Sequence, residues 1–365
     1  MTRRQLTTAQ IFGVILTLAW YLAGFPSASS TAALPEQLSD QEFWKLSQDL
    51  SENNGYFRSD NLLSNEIWLQ HVIPELAKTS KPGRVYLGVG PEQNFTYIAA
   101  MKPAMAFIVD VRRGNLHMHL MYKALFEMSA DRADFVSRLF SRKRPAGLTA
   151  SSTAMEIFSA ITEVPSSEAL HKENLKAIQD HLTRKRGIPL DPEDLRGIEY
   201  ITTQFHWYGP GITYNSSQGR GGRSMATYFD LMVATDADGK NRSFLANEEQ
   251  FNVLKSLHTK NLLVPVVGNF GGPKALRAVG KYIREKGAIV SAFYLSNVEQ
   301  YLNQDGLWPS FCNNVAALPL DDNSTFIRSV RGGGNGFGGG YGFGGLTNII
   351  GSMREETKGC SGGRP

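Results

Sequence analysis

Short apolar runs alternate with amphipathic segments of helical length over most of the chain. The apolar runs predict strands at 84–88, 105–110, 262–272 and 288–296. The segments that lie between them or follow them predict helices, at 91–101, 115–129, 131–141, 150–186, 247–260 and 273–287. Strands separated by helices of this length indicate an α/β fold with a mostly parallel sheet that helices cover on both faces.

Two helices are expected before the first of these strands. The segment 34–52 has apolar positions on one face and Ser39 or Asp40 as its N-terminal cap. The segment 57–79 keeps an approximate helical spacing of leucine, isoleucine and valine, and a Lys-Pro-Gly turn then ends it. The chain therefore divides into an N-terminal helical segment, 34–83, packed on an α/β domain, 84–330.

The second half of the chain adds four further predicted strands. Residues 198–207 and 226–235 are rich in β-branched and aromatic side chains, and 315–320 and 325–330 have the composition of closing strands. We expect the glycine-rich stretch that follows to leave 331–365 as a flexible tail, because so few side chains cannot offset the entropy of ordering.

The first 33 residues have the pattern of a secretory signal. Arg3 and Arg4 precede an apolar run at 11–25, and small residues follow as far as Ala33. The run is shorter than the roughly 20 residues of a membrane span, yet an uncleaved anchor in the inner membrane is the second interpretation. In both cases the positive-inside rule places the main body outside the cytoplasm, in the periplasm or the medium.

Composition and charge exclude few classes of function. The net charge of +4 is scattered along the chain, which argues against a nucleic-acid partner and leaves the N-terminal apolar segment as the one contact with a membrane. The two cysteines, Cys312 and Cys360, permit one disulfide in an exported chain, and the sequence does not decide whether it forms.

The strand-to-helix turn at 88–94 carries the strongest candidate chemistry. Gly88 and Gly90 let the backbone turn tightly and approach a ligand, and a helix N-terminus follows them. Asp110 ends the next predicted strand, at the distance where an acid accepts hydrogen bonds from ribose hydroxyls. The alternative is a purely structural turn, with Asp110 capping the next helix.

The block "VYLGVGPEQN" together with Asp110 resembles the first motif and ribose-binding acid of class I S-adenosylmethionine-dependent methyltransferases. The resemblance implies a Rossmann-like fold and a cofactor site at Gly88, Gly90, Glu92, Asn94 and Asp110. Asn94 replaces the third glycine of the longer dinucleotide fingerprint, and Glu92 would repel a pyrophosphate but tolerate a sulfonium. The block "GPEQNFTYI … DVRRGN" is also similar to an uncharacterised bacterial group, which would imply a fold but no reaction.

Downstream, two strand exits supply candidates for a substrate site. His206 is a candidate general base, Trp207 and Tyr208 are candidate stacking residues, and Asn269 is a candidate polar contact. For His206, Trp207 and Tyr208, the alternative is a buried aromatic cluster in which the histidine has its hydrogen-bond partners within the protein. No metal is expected, because His117 and His119 lie two apart on a helix and no cysteine or carboxylate cluster completes a ligand set.

These features predict an exported or membrane-anchored protein that binds a nucleoside-type small molecule. S-adenosylmethionine is the cofactor that the resemblance implies, and the reaction stays open. The alternative is a non-catalytic binding or scaffold protein outside the cytoplasm that keeps the fold only.

Overall fold

Six strands form one sheet, and all but the last run parallel. In chain order they are β1 (Val85–Gly88), β2 (Met105–Asp110), β3 (Leu263–Val267), β4 (Val290–Ser296), β5 (Thr325–Arg331) and β6 (Leu346–Ser352). The order across the sheet is β3-β2-β1-β4-β5-β6, with β6 antiparallel to β5. The prediction of an α/β fold with a mostly parallel sheet is confirmed.

The structure is a computed structural model, and it describes residues 33–214, 216, 225–331 and 346–360. Residues from Leu34 onward belong to one compact unit. The predicted signal or anchor falls outside the described residues, apart from Ala33, and so does most of the glycine-rich stretch.

Helices fill the connections between the strands. Those of the described residues begin with α1 (Asp40–Leu50), α2 (Ile73–Thr79), α3 (Gln93–Met101), α4 (Arg113–Met128), α5 (Arg132–Leu139), α6 (Ala154–Glu163) and α7 (Glu168–Asp180). They continue with α8 (Pro192–Tyr208), α9 (Tyr228–Val233), α10 (Glu248–Thr259), α11 (Ala275–Glu285), α12 (Val298–Gln304), α13 (Trp308–Ala316) and α14 (Met353–Glu356). Shorter turns of helix lie at Leu69–Val72, His181–Lys185 and Gly209–Gly211.

The three strands on the β3 side of the sheet are buried on both faces. Every residue of β1, β2 and β3 is buried. Because successive side chains of a strand point to opposite faces, both faces of this part of the sheet are covered. Helix α1 packs along β3, where the Ser47 hydroxyl donates to the Pro265 carbonyl at 2.6 Å. Its cap is Ser39, one of the two residues predicted, and it forms a capping box with Glu42.

The predicted helix at 57–79 is wrong for its first half. Regular helix begins only with the short turn Leu69–Val72 and continues as α2. Asn61 has a left-handed backbone conformation, with φ of 47°, which interrupts a right-handed helix. The Ser64 hydroxyl also accepts from the Glu66 amide at 3.0 Å, a local bond that competes with helix formation.

Two predicted strands are helices. Residues 198–207 lie within α8, which Asp191 starts with a capping box, and 226–235 contain α9, which Thr227 starts in the same way. Within 198–207 the buried positions are Ile198, Ile201, Thr202, Phe205 and His206. These positions have helical spacing, which outweighs the β-propensity of the individual residues.

The C-terminal predictions also need correction. Most of 315–320 follows the end of α13 and forms no strand, whereas the strand predicted at 325–330 is β5. The expected flexible tail is wrong for 346–360, because β6 pairs with β5 along its whole length. A disulfide joins Cys312 in α13 to Cys360 beyond α14. Backbone pairing and this cross-link supply the order that composition did not indicate.

Candidate functional site

A cavity of about 780 Å³ opens at the carboxyl ends of the parallel strands. Residues at or just beyond the ends of β1, β2, β3 and β4 all contribute to its walls, among them Gly90, Asp110, Asn269 and Ser296. Its volume lies within the range of small-molecule sites.

The position of the cavity follows from the strand order. From β1 the chain continues to β2 on one side, whereas β4 lies on the other side of β1. Connections that leave neighbouring strands in opposite directions open a crevice between them, and ligands of open α/β sheets bind in such crevices.

Gly90 forms the turn between β1 and α3. Its φ is 74°, in the left-handed region that favours glycine, and it lines the cavity. The His119 imidazole in α4 lies 2.9 Å through Nε2 from the Gly90 carbonyl oxygen. Burial lowers the pKa of His119 to about 4, so the ring is neutral and donates this hydrogen bond. The bond holds the Gly90 turn in place.

Gly88 and Asn94 serve the turn rather than the cavity. The Asn94 amide nitrogen donates to the carbonyls of Val89 and Pro91, at 2.9 and 2.7 Å, and its oxygen accepts from the Tyr86 hydroxyl at 2.9 Å. A Cβ at Gly88 would overlap that Asn94 oxygen. Neither residue lines the cavity. Gly88 is needed because the absence of a side chain there leaves room for the Asn94 side chain.

Asp110 lines the cavity at the end of β2 and is paired with Arg112. The Arg112 backbone N–H donates to Oδ1 at 2.9 Å, and the guanidinium donates to both carboxylate oxygens at 3.1 Å. Only 5% of the Asp110 side chain is exposed. Oδ1 already accepts two of these hydrogen bonds, whereas Oδ2 accepts only one, so a lone pair of Oδ2 can still accept a hydroxyl donor.

Glu92 is fully buried behind the turn. One carboxylate oxygen accepts from the Ser64 backbone N–H at 3.1 Å, and the other has no hydrogen-bond partner. Burial raises the pKa of the Glu92 carboxyl to about 8, with a smaller contribution from the charge of Glu66. Glu92 therefore contacts the loop before α2 rather than the cavity.

The turn between β3 and α11 already holds a carboxylate of the protein itself. Glu52 accepts from the backbone N–H groups of Asn269, Lys274 and Ala275, at 3.2, 2.9 and 2.7 Å. A side chain at Gly272 would displace these carboxylate oxygens. The glycine-rich turn and the N-terminus of α11 would otherwise attract an anion, and Glu52 fills that position.

Aromatic side chains also line the cavity. The Phe57 and Tyr301 rings meet edge to face at 5.1 Å, and the Arg58 guanidinium lies 5.8 Å from the centre of the Tyr301 ring. Tyr214 lines the same cavity. Flat rings of this kind offer contact area to a planar ligand.

The predicted substrate residues divide between two places. Asn269 lines the cavity, whereas His206, Trp207 and Tyr208 lie at the end of α8 and are not among its lining residues. The His206 ring stacks on His171 at 4.4 Å and lies 3.4 Å from a Glu168 oxygen. Trp207 is 77% exposed.

Sequence reasoning missed two walls of the cavity. One is the non-helical segment from Tyr56 to Asn65, and the other is the stretch from Ser296 to Asp305 around α12. The second follows a predicted strand and is rich in amide side chains. The rule that loops after parallel strands build the site would have pointed to it.

Neither a cluster of metal ligands nor a membrane-spanning helix occurs in the described ranges. These ranges contain no group of three or more metal-ligating side chains placed to hold a metal ion. They also contain no helix that is long and apolar enough to cross a membrane, and residues 11–25 lie outside them.

Residues 62–341 match the family described as a domain of unknown function, DUF7790. The chain belongs to this family. The DUF7790 match includes β1 to β5 and most of the cavity, whereas Glu52, Tyr56 and β6 lie outside it. No curated protein matches the chain.

Proposed function

We propose that this DUF7790 protein binds a nucleoside-type small molecule in the cavity at the carboxyl edge of its sheet. The observation that carries the proposal is that the Gly90 turn and the Asp110 carboxylate, at the ends of neighbouring strands, border one cavity. The strand order, which matches that of Rossmann-like nucleotide-binding folds except for the antiparallel β6, supports the same proposal.

The charges around the cavity favour a ligand without phosphate. The Glu52 carboxylate occupies the N-terminus of α11, where a phosphate group of a ligand could otherwise bind. Glu92 lies at the N-terminus of α3 but keeps its proton up to about pH 8, so it neither attracts nor repels an anion near neutral pH. S-adenosylmethionine, which has a sulfonium and no phosphate, meets this condition. Methyl transfer is the second candidate function for that reason.

Calorimetry tests the binding proposal. We expect S-adenosylmethionine, its demethylated product or adenosine to bind the parent protein, and Asp110→Ala to weaken adenosine binding about tenfold or more, since a charge-assisted hydrogen bond to ribose is lost. Binding of adenine, which lacks ribose, should not change. Asp238→Ala, an exposed turn residue, is the matched control. If Asp110→Ala weakened the binding of adenosine and of adenine equally, Asp110 would not be the residue that binds ribose.

We also propose that the domain lies outside the cytoplasm. The Cys312–Cys360 disulfide supports this location, because disulfides persist in oxidising compartments. Alkaline phosphatase fused after residue 60 should be active in a bacterial host, and β-galactosidase fused at the same point should be inactive. The reverse pattern would place the domain in the cytoplasm.

A further inference from the structure

A chain of buried hydrogen bonds leads from Glu66 to the cavity wall. The Glu66 carboxylate is fully buried and receives three donors: the hydroxyls of Tyr294 and Ser296, each at 2.6 Å, and the Asn348 amide at 2.7 Å. The Gln93 amide nitrogen in turn donates to the Tyr294 hydroxyl oxygen. Gln93 and Ser296 line the cavity.

The direction of these bonds fixes the orientation of the Gln93 amide. A tyrosine hydroxyl has one proton, and Tyr294 gives it to Glu66, so its oxygen can only accept from Gln93. Burial and the Glu66 charge raise the pKa of Tyr294 well above its usual value, which keeps that proton in place. The amide nitrogen of Gln93 must therefore face Tyr294, and its oxygen must face away.

The Gln93 oxygen is left without a partner. It is buried, no hydrogen bond reaches it, and the residue as a whole is 3% exposed. Leaving a buried acceptor unpaired costs about 1–3 kcal/mol, so this oxygen favours a donor from outside the protein, such as an ordered water or a ligand.

We propose that Gln93 is a specificity residue of the cavity, whose amide oxygen accepts a hydrogen bond from an N–H or O–H group of the ligand. The inference rests on the proposed function and names the chemistry of its ligand: a nucleoside with an amino or hydroxyl donor at this wall. Tyr294 and Glu66 are positioning residues, because they hold the Gln93 amide in the accepting orientation.

Calorimetry with donor-deleted probes tests the proposal. Adenosine is compared with N6,N6-dimethyladenosine, 2′-deoxyadenosine and 3′-deoxyadenosine, on the parent and on Gln93→Met, which keeps the length of the side chain and removes its acceptor. We expect the parent to prefer adenosine over one of these probes about tenfold or more. Gln93→Met should abolish that preference and leave the binding of the donor-deleted probe unchanged.

Tyr294→Phe separates positioning from contact. It removes the partner that orients Gln93 but leaves the acceptor in place, so the preference should fall to a value between those of the parent and Gln93→Met. Equal weakening of all probes in Gln93→Met would indicate a purely structural role and would overturn the proposal.

A crystal soak keeps this inference distinct from the binding proposal. If no nucleoside binds the parent, the proposed function fails, and crystals are soaked with phenol and with its methyl ether, anisole. We expect the phenol oxygen within about 3 Å of the Gln93 amide oxygen, and no anisole there. Absence of phenol from this wall, or a protein donor already bonded to that oxygen, would end the inference.

Discussion

Asp110 and Arg112 form a two-pronged ion pair at the rim of the cavity, with the guanidinium 3.1 Å from both carboxylate oxygens. The side chains are only 5% and 11% exposed. The acid at the end of β2 is therefore a fixed acceptor, already oriented by its neighbour two residues on. A ligand that uses Asp110 has to approach from the side that Arg112 leaves open.

Removing Arg112 should leave a buried, unpaired carboxylate. We expect Arg112→Met to lower the free energy of unfolding by about 3 kcal/mol, measured by urea titration. Asp110→Asn combined with Arg112→Met should cost less than the sum of the two single changes, because the amide needs no counter-charge. If the losses of the two single variants simply added up to that of the double variant, Asp110 and Arg112 would not be energetically coupled.

Gly88 and Gly90 should respond differently to the same substitution. At Gly88 a methyl group overlaps the Asn94 oxygen, so we expect Gly88→Ala to cost about 1–3 kcal/mol. At Gly90 nothing lies within 4 Å of the added carbon. We therefore expect Gly90→Ala to lower the free energy of unfolding by only about 1 kcal/mol, because alanine disfavours the left-handed φ. Urea unfolding of both variants measures the difference, and a Gly88→Ala, Asn94→Ala pair should recover part of the first cost.

The Glu92 carboxyl should make stability depend on pH. In the unfolded chain it ionises near pH 4.5, whereas in the folded protein it keeps its proton up to about pH 8. The folded state thus binds more protons between these values, so this group lowers the free energy of unfolding as pH rises, by up to about 1.4 kcal/mol per pH unit, and the loss levels off above pH 8.

Glu92→Gln isolates this contribution, because it keeps the shape of the side chain and cannot ionise. We expect the variant to gain stability relative to the parent between pH 5 and pH 8 in urea titrations at each pH. Other titrating groups cancel in the difference. Parallel stability curves for the two proteins would show that Glu92 ionises normally.

Glu52 should act as a built-in anion at the start of α11. Glu52→Ala removes three hydrogen bonds to backbone N–H groups, and we expect a loss of about 1–2 kcal/mol. Added inorganic phosphate should then raise the melting temperature of the variant and leave that of the parent unchanged. A parent that responds to phosphate as strongly as the variant would contradict this role.

The disulfide should stabilise the C-terminal segment. Cys312 and Cys360 are 48 residues apart, so Cys312→Ser with Cys360→Ser should lower the free energy of unfolding by about 4 kcal/mol on the chain-entropy account. Reductant should destabilise the parent by a similar amount and have no effect on the double variant. A parent insensitive to reductant under unfolding conditions would argue against the cross-link.

The alternation of strands and helices was readable from the sequence because buried parallel strands are continuous apolar runs. The runs at 84–88 and 105–110 became β1 and β2, and Asp110 stands at the end of β2 as predicted. These elements are set by local pattern, and the carboxyl ends of parallel strands must share one edge. The chain by itself therefore indicated that Gly90 and Asp110 lie near each other.

Tertiary structure decided what each side chain does. Asn94 packs on Gly88, Glu52 fills the turn after β3 and Asn348 bonds to Glu66, and the residues of the last two pairs lie far apart in sequence. No local pattern encodes such contacts, because their free energy depends on which surfaces the fold brings together.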